Sequence, residues 1–334
     1  MILAGDIGGT NTRLALFEGR PERLRPLQME VFPSRDFQGP AEIAQKFLTR
    51  QSELPTAACF GIAGAVLDGH VETPNLPWVV DALQLAHTLN IEDVLLINDL
   101  EANAHGIAVL DESDFVILNP GTPRLSGNRA LIAAGTGLGE AGLLAESGGG
   151  YRPFASEGGH VDFAPRNDLE LDLLRYLMGR FEHVSYERVL SGPGLYNIYQ
   201  FLRDTGRGEE PSWLTDQLAL GDPSATIAKS ALEGTSDICV QALDVFVSIY
   251  GAEAGNLALK VVATGGTFVG GGIAPKILRK LSSTTFMKAF TAKGRVSNWL
   301  KDVPVRVITN DKAALFGAGR VAALALARKQ AHRT

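Results

Sequence analysis

Three clusters in the sequence join residue types that can do chemistry to glycines or strand ends that can present them. Asn98 and Asp99 follow the apolar run Val94-Leu95-Leu96-Ile97 with no intervening turn. Four consecutive apolar residues read as a strand buried on both faces, so an amide and a carboxylate arrive directly at its carboxyl end. In open α/β sheets that edge is where ligands bind, and a carboxylate there can act as a base. The competing reading makes Asp99 only the N-cap of a helix beginning at Leu100. In the second cluster Glu157 and His160 flank Gly158-Gly159, a spacing whose tight bend could aim a carboxylate and an imidazole at neighbouring hydroxyls of a polyol. A metal site and a Gly-rich surface turn remain open there. The third cluster is Asp6-Ile7-Gly8-Gly9-Thr10-Asn11, in which bare backbone amides and a hydroxyl suit a phosphate.

Positioning these clusters calls for alternating strands and helices. Met1 to Ala4 and Thr12 to Phe17 form a hairpin around the first glycine turn, and Ala57 to Gly64 form a strand running into small residues. Thr73 to Trp78 is a loop stiffened by prolines on either side of Asn75, and Asp81 to Leu89 is a helix. Strand-turn-strand recurs at Ala130 to Leu144. Placing Gly9-Thr10 over Gly135-Thr136 brings the two units into step, a sign of two related halves whose turns could clamp a polyphosphate. Gly137, Gly139 and Gly142 also satisfy the dinucleotide fingerprint, but Gly148-Gly149-Gly150 interrupts the chain where that fingerprint needs a helix. Asp168 to Phe181 is an amphipathic helix, Glu187 sits in a short turn, residues 204 to 224 are a surface excursion, and Ile227 to Leu259 are helical. Val261 to Ala263 is a strand leading into Gly265-Gly266 and a glycine-rich turn against which a flat adenosine ring could lie. Val305 to Ile308 is a strand. Ala313 to Arg328 is a small-residue helix in which Gly317 and Gly319 allow close packing as the chain returns to its first lobe.

Composition narrows the partners. With 334 residues, 45% apolar and 20% charged, the chain is long enough for two lobes. A net charge of −6 and no Lys/Arg-rich run argue against nucleic acid. Cys59 and Cys239 stand far apart, which fits a reducing cytoplasm, neither a disulfide scaffold nor a zinc site. No signal peptide is expected, and no apolar run approaches the ~20 residues of a membrane span. P-loop, nucleophile-elbow and H-E-x-x-H motifs are absent.

Taken in order, Asp6-Ile7-Gly8-Gly9-Thr10-Asn11, Ile97-Asn98-Asp99, Ala134-Gly135-Thr136-Gly137, Glu157-Gly158-Gly159-His160, Ser185-Tyr186-Glu187-Arg188 and Gly265-Gly266 resemble the bacterial glucokinases of the actin-like ATPase superfamily. The resemblance is to that branch more than to the ROK kinases, whose zinc-binding cysteine cluster has no counterpart after His160 before Cys239, so no structural zinc is expected. It implies an α/β, two-lobed actin-like ATPase (ribonuclease H-like) fold with a sugar and nucleotide cleft between lobes. Residues 1–110 with 301–334 would form the small lobe and 111–300 the large one. The implied reaction is ATP-dependent phosphorylation of D-glucose at its 6-hydroxyl, with Asp99 as general base. Asn98, Asp99, Glu157, His160, Glu187 and Asn75 would hold the sugar. Gly8, Gly9, Thr10, Asn11, Gly135, Thr136 and Gly137 would hold phosphates, Asp6 would orient magnesium through water, and Gly265 and Gly266 would border adenosine. A cytoplasmic homodimer is implied, with neither nucleic acid nor membrane as partner. A kinase for another hexose, a sugar-binding regulator and a nicotinamide oxidoreductase are the alternatives.

Overall fold

The structure is a computed structural model in which residues 1–51, 53–73 and 76–333 are described, so Asn75 lies outside the described residues. The strands are β1 (Ile2–Ile7), β2 (Asn11–Arg20), β3 (Arg23–Pro33), β4 (Ala57–Ile62), β5 (His70–Glu72), β6 (Val79–Asp81), β7 (Asp93–Asn98), β8 (Phe115–Asn119), β9 (Arg129–Ala134), β10 (Leu138–Ala145), β11 (Tyr151–Ser156), β12 (Gly266–Gly270) and β13 (Val305–Ile308). The α-helices are α1 (Pro40–Leu48), α2 (Ala82–Leu89), α3 (Asp99–Gly106), α4 (Asp168–Met178), α5 (Gly192–Asp204), α6 (Ser212–Leu220), α7 (Pro223–Glu233), α8 (Asp237–Lys260), α9 (Leu278–Leu281), α10 (Thr284–Thr291), α11 (Ser297–Lys301) and α12 (Ala313–Arg333). Two compact units emerge. One holds Met1–Asp114, Gly150–Ala155 and the chain from Asn310; the other holds Phe115–Gly149 and Ser156–Thr309.

In the first unit the sheet order is β3-β2-β1-β4-β7. β1 and β2 are an antiparallel hairpin, whereas β1, β4 and β7 run parallel with Ile7, Ile62 and Asn98 in one row. Both faces are covered. Leu3, Ile7, Phe60 and Ile62 pack with Ile43 and Phe47 of α1 and Leu85 and Leu89 of α2, while Ile2, Ala4, Cys59 and Ile97 pack with Ala102 of α3 and Leu315 and Ala318 of α12. That burial on alternate sides explains why β1 and β4 are nearly continuous apolar runs. The expectation that Val94 to Ile97 would be buried on both faces is corrected at one position. β7 ends the sheet order, and Leu95 is 38% exposed.

The second unit repeats the plan. β9 and β10 are a hairpin, β12 lies parallel to β9, β13 parallel to β12, and β8 antiparallel to β13. β13 therefore belongs to this sheet, and the chain re-enters the first unit only at Asn310. α8 is the core helix, burying Cys239, Phe246, Tyr250 and Leu257 among Ile132, Val269, Phe286 and Phe290. It is the one described helix long and apolar enough to cross a membrane by length and composition, against the expectation of none, but 72% of its apolar window is buried in the protein.

Two local readings change. Within 204 to 224, α6 forms because Leu214 and Leu218 are buried one turn apart. The strand expected from Val261 begins instead at Gly266. Val261 to Ala263 terminate α8: the Ala263 N–H donates to Ala258 O at 2.9 Å and Val262 takes φ +52°.

Candidate active site

The first unit gathers its expected residues at the carboxyl edge of the parallel strands. Asn98, rather than Asp99, is the N-cap of α3. Its Oδ1 accepts from the N–H groups of Leu100 at 2.9 Å and Glu101 at 3.4 Å, and its Nδ2 donates to Gly64 O at 2.9 Å. One amide hydrogen of Asn98 is left over from these bonds. Asp99 becomes the first helical residue, its Oδ1 accepting from Leu100 N–H at 2.9 Å and its side chain partly exposed. The helix macrodipole favours negative charge at that amino-terminal position. α3 can approach this edge closely because a Cβ on Gly61 would lie 2.8 Å from that of Ala102.

The turn after β1 is pinned from the side. Gly8 N–H donates to Asn11 O at 3.0 Å. Ser34 donates its hydroxyl to Gly8 O at 2.7 Å and its N–H to Thr10 O at 2.9 Å. Ser34, buried and 3.0 Å from the Thr12 hydroxyl, was not singled out from the sequence, because it lies 26 residues from Gly8. Asp6 sits in the same strand row as Gly61 and Ile97 and pairs with Arg13 at 3.2 Å, while Arg13 also reaches Asp311 at 3.4 Å. Burial pushes the Asp6 carboxyl up and the guanidinium of Arg13 draws it down, with burial prevailing.

In the second unit the glycine turn after β9 is closed by Gly135 N–H donating to Gly137 O at 2.8 Å, and Gly192 N–H donates to Gly135 O at 2.8 Å. Glu187 lies beside this turn. Its Oε2 accepts from Leu138 N–H at 3.0 Å, and a Cβ on Gly137 would meet that oxygen at 2.6 Å. Glu157 and His160 are both well exposed, with carboxylate and imidazole 4.0 Å apart. Gly158 and Gly159 serve close approach, since neither takes a positive φ. Their Cβ atoms would stand 2.0 Å from Glu140 Oε2 and 2.0 Å from Leu138 O. Tyr186 N–H donates to Val161 O at 3.0 Å, joining the two short loops. Thus Gly135 to Gly137, Glu157, His160 and Glu187 are brought together around the start of β10.

Gly265 and Gly266 are not part of that gathering. Gly266 is level with Arg129 at the opening of β9, and Gly265 N–H donates to Asn128 O at 2.9 Å, so both occupy the amino end of β12. The glycines at its carboxyl end are Gly270, Gly271 and Gly272. Gly271, at φ +81°, would place a Cβ 2.3 Å from Ala134 O. Tyr250 fixes this edge from beneath: its hydroxyl accepts from Ala134 N–H at 3.1 Å and reaches Gly270 O at 3.3 Å. A tyrosine inside an apolar helix gave no sequence signal for that task.

The glucokinase family profile matches residues 3–325, nearly the whole chain. The chain belongs to the glucokinase family. A glucokinase from Nostoc sp. is 41% identical over 339 residues, covering 97% of this chain and 99% of its own length. The crystal structure of a glucokinase from an Antarctic psychrotroph aligns with TM-score 0.84 at 32% identity, covering 96% of this chain and 98% of that one. A ROK family glucokinase from Streptomyces griseus, solved in complex with glucose and AMPPNP, shares the fold with TM-score 0.66 at 20% identity over 96% of this chain and 98% of its own. The fold is that of the actin-like ATPase sugar kinases, and the family activity is ATP-dependent phosphorylation of glucose.

Proposed function

We propose that Asp99 is the general base that accepts the proton of the 6-hydroxyl of D-glucose as the γ-phosphoryl group of ATP is transferred, giving glucose 6-phosphate and ADP. The observation that carries this is the placement of Asp99 as the first residue of α3, at the carboxyl end of β7 and fixed by the Asn98 cap. Phosphoryl transfer asks the protein mainly for positioning and charge neutralisation, so a held carboxylate beside the acceptor is sufficient base. Asn98 would offer its remaining N–H to the sugar, and Glu157, His160 and Glu187 would take the other hydroxyls. Gly8 to Asn11 and Gly135 to Gly137 would hold phosphates with backbone N–H groups. For the adenosine border, Gly270 to Gly272 suit the task better than Gly265 and Gly266, because they share the strand edge of Gly135. The two units would serve as the two lobes. Asn75 remains a proposed sugar contact on sequence grounds alone.

Asp6 fits magnesium as an outer carboxylate. An ion carried mainly by nucleotide oxygens and water asks the protein for little more than one such carboxylate. When bound with ATP, magnesium supplies neutralisation of phosphate charge. A cytoplasmic homodimer belongs to the same proposal; the buried free thiols of Cys59 and Cys239 suit a reducing compartment, and sedimentation of the purified protein tests the dimer.

The deciding experiment measures ADP release with glucose, mannose, fructose and N-acetylglucosamine, for the wild type and Asp99→Asn. Glucose should be the preferred acceptor, and the variant should lose about 10²- to 10⁴-fold in kcat while still binding glucose. Near-normal turnover by Asp99→Asn would remove Asp99 as the base.

A further inference from the structure

Glu140 is a carboxyl with nowhere to put a charge. It lies on β10, two residues beyond Leu138 and on the same face, and is 1% exposed; neither oxygen meets a donor. Oε2 rests directly on Gly158, so close that a Cβ there would stand 2.0 Å away. The Gly158 N–H does not help, because it donates to Ser156 Oγ at 3.0 Å. The group within hydrogen-bond reach is a second carboxyl, Glu253 of α8, which is fully buried. Glu253 already accepts from Asn256 Nδ2 at 2.7 Å and Lys260 Nζ at 2.9 Å, so the donors that could compensate a negative charge in this pair all lie on Glu253 and none on Glu140. Two buried carboxyls in contact cannot both ionise, and Glu140 holds the proton. Around the pair stand Tyr250 and Lys260 from α8, Tyr186 from the turn before Glu187, and, farther out, Arg166, Glu170 and Lys293. Asn256 Nδ2 donates both to Glu253 at 2.7 Å and to the Tyr186 hydroxyl at 3.1 Å, so the same buried carboxyl is connected through Asn256 to the turn that carries Glu187, which in turn bonds the loop of Glu157 and His160.

We propose that Glu140 is a positioning residue for glucose: as a neutral acid sharing its proton with Glu253, it seats Gly158 and Gly159 against β10 and thereby aims Glu157 and His160. The proposal rests on the reading that this loop holds the sugar. Loss of the proton leaves two buried negative charges facing each other, and the one against Gly158 relieves the repulsion by displacing the loop. Burial and Glu253 together push the Glu140 carboxyl up to about 8, so the change falls at the alkaline edge of the working range.

The test is steady-state kinetics of the full-length enzyme from about pH 7 to about pH 9.5. The wild-type KM for glucose should rise roughly tenfold over that interval, with kcat at saturating glucose changing about twofold or less. Glu140→Gln, which keeps a donor of the same shape but cannot ionise, should hold a flat glucose KM; Glu140→Ala should raise KM at every pH. A flat wild-type profile overturns the proposal without any variant. Parallel wild-type and Glu140→Gln profiles overturn it as well. The loop reading is tested separately at pH 7 by Glu157→Gln and His160→Asn: unchanged glucose KM in both means the loop does not hold the sugar, whatever Glu140 does.

Discussion

Gly317→Ala sets two effects of known size against each other. Gly317 lies in the second turn of α12, inside the helix, where alanine should improve helix stability by about 1 kcal/mol. A Cβ there, however, would lie 1.7 Å from Ala102 O and 2.7 Å from Gly106 N on α3. Both neighbours are backbone and cannot rotate away. The same crossing is tight from the other side, since a Cβ on Gly106 would meet Ala313 O at 2.1 Å. Relieving the overlap requires moving α12 from α3 by more than about 1 Å, and a gap of that size forfeits roughly a quarter to a half of the dispersion attraction between the two packed faces. Overpacking of this kind costs about 1–3 kcal/mol or more, and here the displaced surface includes Ala102, Leu315 and Ala318. Because the obstacles are backbone, the cost lies at the upper end of that range, and subtracting the helix gain leaves a net loss of about 2 kcal/mol, read as a thermal midpoint lower by roughly 4–8 °C by circular dichroism. Gly319 supplies the control on the same helix. Its Cβ would meet only the tips of Phe17 and Leu24, at 3.1 Å and 3.2 Å, which can shift by a few tenths of an ångström. Gly319→Ala should therefore stay within about 1 kcal/mol of the wild type. Because α3 begins at Asp99, Gly317→Ala should also lower kcat by about tenfold or more at a temperature where it remains folded. If Gly317→Ala melts at or above the wild-type midpoint, the helices do not meet backbone to backbone, and Asp99 is not positioned through α12.

Glu187 receives the Leu138 N–H as well as standing ready for sugar, so Glu187→Ala should raise KM for both glucose and ATP by about tenfold; an unchanged KM for ATP would mean that the glycine turn does not depend on this carboxylate. His105, partly buried at the far end of α3 with its Nδ1 against Arg320 at 3.0 Å, is pushed down to about 4, first by desolvation and then by Arg320 and Arg328. The unfolded chain gains this proton near the ordinary 6.5 while the folded protein refuses it. Stability present above pH 6.5 is therefore lost as pH falls toward 4, by about 3 kcal/mol. Urea unfolding should show this decline reduced in His105→Asn, and parallel pH profiles for the two proteins would count against it.

What the sequence made legible was set by distance along the chain. Asp6 to Asn11, Asn98-Asp99 and Gly135 to Gly137 each combine a strand with the turn that ends it, so their local order already states their place at a sheet edge. The doubled hairpin plan was visible for the same reason. The cap was misassigned by one residue, because an Asn-Asp pair offers two acceptors and only the ψ of 149° at Asn98 decides which one precedes the helix. Gly265 and Gly266 open β12 rather than follow a strand, because Val261 to Ala263, despite their strand composition, close α8. Ser34, Tyr250 and Glu140 gave no signal at all, since each acts on a residue far away in the chain. Their common feature is that they support glycines. Removing a side chain to let a ligand approach leaves bare backbone, and bare backbone holds a shape only where something else fixes it. Ser34 bonds the carbonyl of Gly8, Tyr250 bonds the strand end before Gly135, and Glu140 underlies Gly158. The precision of each glycine turn is therefore a property of its buried partner, and that partner is where a substitution should blunt binding without touching any group that meets the substrate.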